Sequence, residues 1–308
     1  MIFSKNEIDH NKGGFFMQQV NVKFRRIIFL DIDGTLTKPG SNDVPKSAVW
    51  AIRQARKEGH YVFLCTGRNY AMLRPVLEYG FDGIIGSSGG YVECHKNVIF
   101  DCPMTPEQSR SVLRVLKENG IFSTIECMDA SYTDTSFRDF LRSHAAEGKN
   151  SELLRWREQL ERSLHIRPLE EYQGEPIYKI VFAGTSMEAL ARAQESLEDF
   201  DFCIQERDGS GMINGEVVNK AFDKGRAVER VCRYLELPLD SAVAIGDSMN
   251  DLEMLRTAGL GICMKNGSEK LKSVADDICP AFHENGIRTA FIKHRLIYTD
   301  KVREEKLA

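Results

Sequence analysis

The chain carries two hydrophobic rhythms. Short unbroken apolar runs, "RIIFL" at Arg26–Leu30 and "YVFLC" at Tyr61–Cys65, read as strands buried on both faces. After each, the apolar positions spread to helical spacing, over Pro45–Gly59 and again from about Asn69, and a short strand follows at Gly83–Gly86. The same alternation resumes from Lys224. Helix Lys224–Glu236, strand Ala242–Ile245, helix Asn250–Ala258, strand Gly261–Met264, helix Ser268–Ala275 and a last helix from about Glu284 are predicted in turn. Such repetition predicts a parallel sheet with helices on both faces.

The middle of the chain has a different character. Tyr91–Cys94 and Val98–Phe100 suggest a hairpin around His95-Lys96-Asn97. Thr105-Pro106-Glu107-Gln108 is a helix start, with a capping threonine, proline at the first helical position and glutamine two residues on. Strands predicted at Phe122–Glu126, Ile177–Ala183 and Phe202–Glu206 alternate with helical stretches, and the charged run Ser151–Arg162 reads as a solvated helix face. The expected fold is therefore α/β: a parallel-sheet core from residues 24–87 and 209–308, and an inserted second α/β domain at 88–208. Residues 1–23 are expected to be a disordered extension, polar and without a period. Met17 is the expected true start, because Lys12-Gly13-Gly14 back-translates to a purine-rich ribosome-binding sequence.

Composition narrows the partners. With 308 residues and a formal net charge of −4, the chain shows no basic stripe, so a nucleic-acid partner is not expected. Eight cysteines are scattered with no C-x-x-C pair, which suits a reducing, cytoplasmic setting better than disulfides or a zinc site. No apolar run reaches membrane-spanning length, and no membrane partner is expected. Nothing in the sequence speaks to oligomeric state.

The chemistry lies where the strands end. "IFLDIDGTL" closes its apolar run with Asp31 and Asp33, two carboxylates that are costly to bury unless neutralised or used. Thr66-Gly67-Arg68 follows the strand Tyr61–Cys65, and Asp247 with Asn250 and Asp251 follows the strand Ala242–Ile245. In open α/β sheets, ligands bind beyond the carboxyl ends of strands, and Lys224 opens a helix that could face the same crevice. Each piece alone is compatible with a turn or a helix cap; their convergence on one rim points to phosphoryl transfer. Asp31 is the candidate nucleophile, forming an aspartyl-phosphate. Mg²⁺ held by Asp31 and Asp247 would offset the repulsion between carboxylate and phosphate, and Asp251 could bind the metal or orient its waters. Lys224 would add positive charge on the transferring group, while Thr66, Gly67 and Asn250 would contact phosphate oxygens. Asp33 is the candidate general acid and base. His95, Cys94 and His283 are read as structural.

These residues resemble the haloacid dehalogenase superfamily, and within it the Cof-type subfamily IIB phosphatases. The four motifs stand in order: "DIDGTL" from Asp31, "CTGR" from Cys65, Lys224 in "DKGRAVERV", and "GDSMNDLEML" from Gly246, over about Phe24 to Lys293. The resemblance implies a Rossmann-like core with a large cap between the second and third motifs, and Mg²⁺-dependent hydrolysis of small phosphorylated metabolites such as sugar phosphates. It maps Asp31 to the nucleophile, Asp33 to the acid/base and to a metal-binding main-chain carbonyl, and Asp247 to a metal ligand. Thr66, Gly67, Lys224 and Asn250 map to phosphate contacts. One departure is Ser88-Gly89-Gly90, where many relatives carry Asn-Gly-Ala at the cap entrance. Two alternatives share the scaffold: a phosphomutase or phosphotransferase that excludes water, and a non-catalytic binding protein.

Overall fold

The computed structural model describes residues 25–134, 166–184, 186–204 and 213–298. The expected extension at 1–23, the run Ser151–Arg162 and the boundary at 208 lie outside the described residues. In chain order the first part runs β1 (Ile27–Leu30), α1 (Lys46–Lys57), β2 (Tyr61–Cys65), α2 (Tyr70–Leu77), β3 (Gly83–Gly86), β4 (Tyr91–Cys94) and β5 (Asn97–Asp101). There follow α3 (Pro106–Glu118), β6 (Phe122–Cys127), β7 (Ser131–Thr133), β8 (Ile166–Pro168), β9 (Ile177–Gly184), α4 (Met187–Glu195), β10 (Phe200–Ile204) and β11 (Ile213–Asn219). The last part comprises α5 (Lys224–Tyr234), β12 (Ala242–Gly246), α6 (Leu252–Thr257), β13 (Leu260–Met264), α7 (Glu269–Lys272), β14 (Asp277–Cys279) and α8 (Gly286–Lys293).

Two sheets result. The first has the order β14-β13-β12-β1-β2-β3-β4-β5, parallel from β14 to β3. Alternation along β1 divides its side chains between two cores. Ile28 and Leu30 pack with Ala48, Ile52 and Phe291 from α1 and α8. Ile27 and Phe29 pack with Val228 and Met254 from α5 and α6. This explains the unbroken apolar run: every position of β1 meets a helix layer.

The second sheet, β10-β11-β9-β6-β7-β8, is mostly antiparallel and belongs to the stretch expected as an insert. One face is apolar, with Ile125, Ile180, Phe182 and Val217 against Val112 of α3 and Leu190 of α4. The capping box predicted at α3 forms, with the Gln108 N–H donating to Thr105 Oγ1 and the Thr105 N–H to Gln108 Oε1.

Two features of the sheets were not expected from the sequence. The hairpin β4–β5 pairs antiparallel with β3 and extends the first sheet, so residue 88 precedes two strands of that sheet. An antiparallel hairpin on the edge of a parallel sheet covers open hydrogen-bonding groups, and local periodicity cannot say which sheet it joins. Second, β11 was not predicted at all, yet it sits inside the second sheet between β10 and β9. Its sequence "INGEVVN" reads as a turn because Asn214, Gly215 and Glu216 interrupt the apolar pattern. All seven of its residues are nevertheless buried.

Candidate functional site

The register of the first sheet builds the site. Leu30 lies opposite Ile245, and the Asp31 N–H continues the ladder to the Ile245 carbonyl at 3.0 Å. Asp31 and Asp247 thus leave neighbouring parallel strands at the same edge. Both are buried, as are Asp251 and Lys224. Carboxylate oxygens of Asp31, Asp247 and Asp251 lie within 4.8 Å of one another. Lys224 Nζ, at the first turn of α5, donates to Asp31 Oδ1 at 2.9 Å, Asp251 Oδ1 at 2.6 Å and Asn250 Oδ1 at 3.3 Å. Asp251 is braced on its other oxygen, which accepts the Asp247 N–H at 3.0 Å and the Ser248 N–H at 3.1 Å.

The turn after β1 is shaped to admit Asp247. Gly34 has φ +89°, and a Cβ there would lie 2.2 Å from Asp247 Oδ2. The Thr35 hydroxyl donates to Asp247 Oδ1 at 3.2 Å, and Asn266 Nδ2 holds the Gly34 carbonyl at 2.7 Å. Only a glycine permits both the backbone conformation and the approach.

Three buried carboxylates beside one ammonium make an electron-rich pocket. Burial first, then the Asp251 charge, pushes the Asp31 carboxyl up to about 8, against the opposing pull of Lys224. Burial, with Asp31 and Asp251, likewise raises Asp247 well above the usual carboxylate range. For Lys224, burial opposes the charge, but Asp251 and Asp31 outweigh it and the ammonium is held. The donor set is all carboxylate oxygen, buried and short of positive charge, which fits a hard divalent cation such as magnesium. Asp31, Asp247 and Asp251 are the side chains that could hold it.

Beside β1, the end of β2 delivers Thr66-Gly67-Arg68. The Thr66 N–H donates to the Ile85 carbonyl at 2.9 Å, and the Ser88 N–H to the Thr66 carbonyl at 3.0 Å, which ties this loop to the turn after β3. The Asp33 carboxylate turns away from the other three. It faces Arg68, whose Nε and Nη2 donate to it at 2.8 Å each, and it accepts the Gly40 N–H at 2.7 Å. The structure therefore gathers Asp31, Asp247, Asp251, Lys224 and Asn250, sets Thr66 and Gly67 at the adjacent strand end, and leaves the Asp33 side chain outside the carboxylate cluster. Arg68 stands in the predicted motif but was given no role there. Thr35 and Ser248, which donates to Asn250 Oδ1 at 2.7 Å, were missed, although both lie within the predicted motifs.

The model of the haloacid dehalogenase-like hydrolases matches residues 28–291, spanning every strand of both sheets except the first residue of β1. The chain belongs to the haloacid dehalogenase-like hydrolases. It is an enzyme of their phosphatase kind. Phosphatase YwpJ of Bacillus subtilis is 28% identical over 291 residues, covering 88% of this chain and all of that one. The 5-amino-6-(5-phospho-D-ribitylamino)uracil phosphatase YwtE of the same organism is 26% identical, over 85% of this chain and 95% of its own. Among solved structures, the haloacid dehalogenase subclass IIB sugar phosphatase BT4131 superposes with a TM-score of 0.70 at 20% identity, covering 88% of this chain and all of that one. This likeness shows a shared fold, cap included. In this haloacid dehalogenase-like hydrolase no helix among the described residues is long and apolar enough to cross a membrane.

Proposed function

We propose that this hydrolase is a magnesium-dependent phosphatase of small phosphorylated metabolites, sugar phosphates or similar monoesters, working through an aspartyl-phosphate on Asp31. The observation that carries this reading is the hold of Lys224 on Asp31, 2.9 Å away, within a cluster of three carboxylates from adjoining strand ends. The names of the relatives, a ribitylaminouracil phosphate phosphatase and a sugar phosphatase, support the substrate class.

Asp31, Asp247, Asp251 and the main-chain carbonyl of Asp33 would hold the cation. Bound magnesium supplies the charge that lets a carboxylate approach a phosphate. Asp31 Oδ bonds to phosphorus as the bond from phosphorus to the ester oxygen breaks, and Asp33 delivers the proton to the departing alcohol. For this, Asp33 leaves Arg68, takes up a proton from solvent and turns to the leaving oxygen. Asp33 then takes a proton from water as that water attacks phosphorus and frees Asp31. Lys224 keeps Asp31 oriented and offsets charge on the phosphoryl group. Asn250 spends its amide oxygen on Lys224 and Ser248, so what it presents to phosphate is N–H. Thr66 and the main chain at Gly67 complete the phosphate contacts. The second sheet, entered after β5 and left after β11, is read as the cap that selects the alcohol portion, in a cytoplasmic setting that suits eight unpaired cysteines.

The test is a panel of phosphorylated metabolites with magnesium chloride, measuring inorganic phosphate released and kcat/KM. Asp31→Asn should remove turnover by about 10³-fold or more while the protein stays folded. Undiminished release by that variant overturns the mechanism. A compound consumed without free phosphate assigns a phosphomutase or phosphotransferase instead.

A further inference from the structure

Lys179 is fully buried in β9, where an ammonium is expensive to keep. Sheet register explains two of its partners. Glu126 of β6 lies directly opposite it, and Glu216 of β11 lies diagonally on the same face. Their carboxylates stand 3.3 and 2.5 Å from Nζ. These already exceed the charge needed to neutralise one lysine. The third partner is in the loop that follows β2 of the first sheet: Nζ donates to the main-chain carbonyl of Gly67 at 2.8 Å.

That carbonyl belongs to the peptide unit whose N–H, on Arg68, donates to Thr66 Oγ1 at 3.2 Å. A cation on a peptide oxygen polarises the unit and strengthens its N–H as a donor. Thr66 Oγ1 then serves the main chain as acceptor, so the hydroxyl offers its proton outward. The contact is close on every side. A Cβ at Gly67 would come within 3.1 Å of Lys179 Nζ and 3.4 Å of Ser88 Oγ, and Ser88 Oγ in turn donates to Glu216 Oε2 at 3.3 Å.

We propose that Lys179 is a positioning residue of the phosphate-binding loop. Seated on the Gly67 carbonyl from the second sheet, it fixes the Thr66-Gly67-Arg68 turn and orients the Thr66 hydroxyl as a donor to phosphoryl oxygen. Its effect falls on the phosphate common to all substrates rather than on the alcohol portion. The inference rests on the phosphatase reading for the identity of the ligand, but its first readout is binding and needs no turnover.

The test compares Glu216→Gln with the double variant Lys179→Met/Glu216→Gln, each checked for folding by circular dichroism and cooperative melting. Inorganic phosphate is titrated by calorimetry with magnesium chloride present. Acetyl phosphate and p-nitrophenyl phosphate, whose departing portions differ, are compared as substrates. Glu216→Gln, which leaves Lys179 on Gly67, should bind phosphate within about threefold of wild type. The double variant should bind about tenfold more weakly, the loss expected for one charge-assisted hydrogen bond, and lose kcat/KM equally on both substrates. If the double variant does not fold, the neutral triple variant Glu126→Gln/Lys179→Gln/Glu216→Gln carries the same expectation. A folded variant lacking Lys179 that binds phosphate like wild type overturns the proposal. So does a loss confined to one substrate, which would place Lys179 on the alcohol portion. Wild-type protein that binds phosphate but releases it from neither compound nor any member of the metabolite panel fails the phosphatase reading, and the affinity ratio still judges Lys179.

Discussion

Arg68 grips both oxygens of Asp33, Nε to Oδ2 and Nη2 to Oδ1 at 2.8 Å each, with both side chains almost wholly removed from solvent. The same guanidinium reaches Asn42 Oδ1 at 2.6 Å and the Ser41 carbonyl at 2.8 Å, so it also fastens the loop after Thr37. Removing one member of a buried pair strands the other. Arg68→Met is expected to destabilise the protein by about 3–5 kcal/mol in urea denaturation. Arg68→Lys should recover little, because a single ammonium cannot reproduce the planar fork. A shift below about 1 kcal/mol for Arg68→Met would show that the pair contributes no more than a surface contact.

Gly34 offers a second, sharper substitution. Alanine there meets both a left-handed backbone and the Asp247 carboxylate, 2.2 Å from the added carbon. Gly34→Ala should lower stability by about 1–3 kcal/mol and displace Asp247, lowering phosphatase activity. Denaturation curves and phosphate release at saturating magnesium measure the two effects. Wild-type activity in this variant would mean that the turn relaxes without moving Asp247.

Cation binding and pH should be linked with a definite sign. Burial, with Asp251, raises Asp31 to about 8, and burial also raises Asp247 well above its ordinary value. In the metal-free protein these groups keep protons that the unfolded chain has released. The stability they contribute is full below the ordinary carboxylate range and is lost as pH rises toward about 8. A bound cation takes the place of those protons. Magnesium should therefore raise the melting temperature more near about pH 8 than near about pH 6. Scanning fluorimetry with and without chelator tests this; an equal or smaller rise at the higher pH counts against a carboxylate-held cation.

The far edge of the first sheet gives the opposite dependence. Asp277 on β14 accepts from Lys293 Nζ at 2.6 Å and pairs with His294 Nε2 at 2.7 Å. Burial works against its charge, but these donors prevail and hold the carboxyl below its usual value. The stability it contributes is present above the ordinary carboxylate value, about 3.9, and disappears as pH falls through the folded one. Asp277→Asn should melt below wild type near neutrality, with the gap closing in acid. A gap that persists there would assign the loss to packing of α8 rather than to charge.

Much of the first sheet was legible because its signals are local. β1 and β12 are apolar runs that stop at carboxylates, and the capping box of α3 lies within four residues. What escaped depends on a partner distant in sequence. Glu216 looks like a turn residue in "INGEVVN" until Lys179, 37 positions away, supplies its charge. Arg68 was in view, but its pairing with Asp33 requires two strand ends to be brought side by side. The hairpin β4–β5 was found, while its membership in the first sheet was not, because strand pairing leaves no mark in the periodicity of a single strand. A buried charge in the middle of a strand, as at Lys179 and Glu126, was the signal that could have pointed to the contact between the sheets.

The pairing of β1 with β12 has a consequence for the spacing of the carboxylates. Ile27 through Leu30 are locked opposite Ala242 through Ile245, and the Asp31 N–H extends the lock by one more bond. The main chains that carry Asp31 and Asp247, two of the residues that would hold a cation, are thus kept near the interval between hydrogen-bonded strands, about 4.8 Å. The sheet acts as a gauge. A slip of that register by one residue would carry the two carboxylates apart, whatever polar residues surround them.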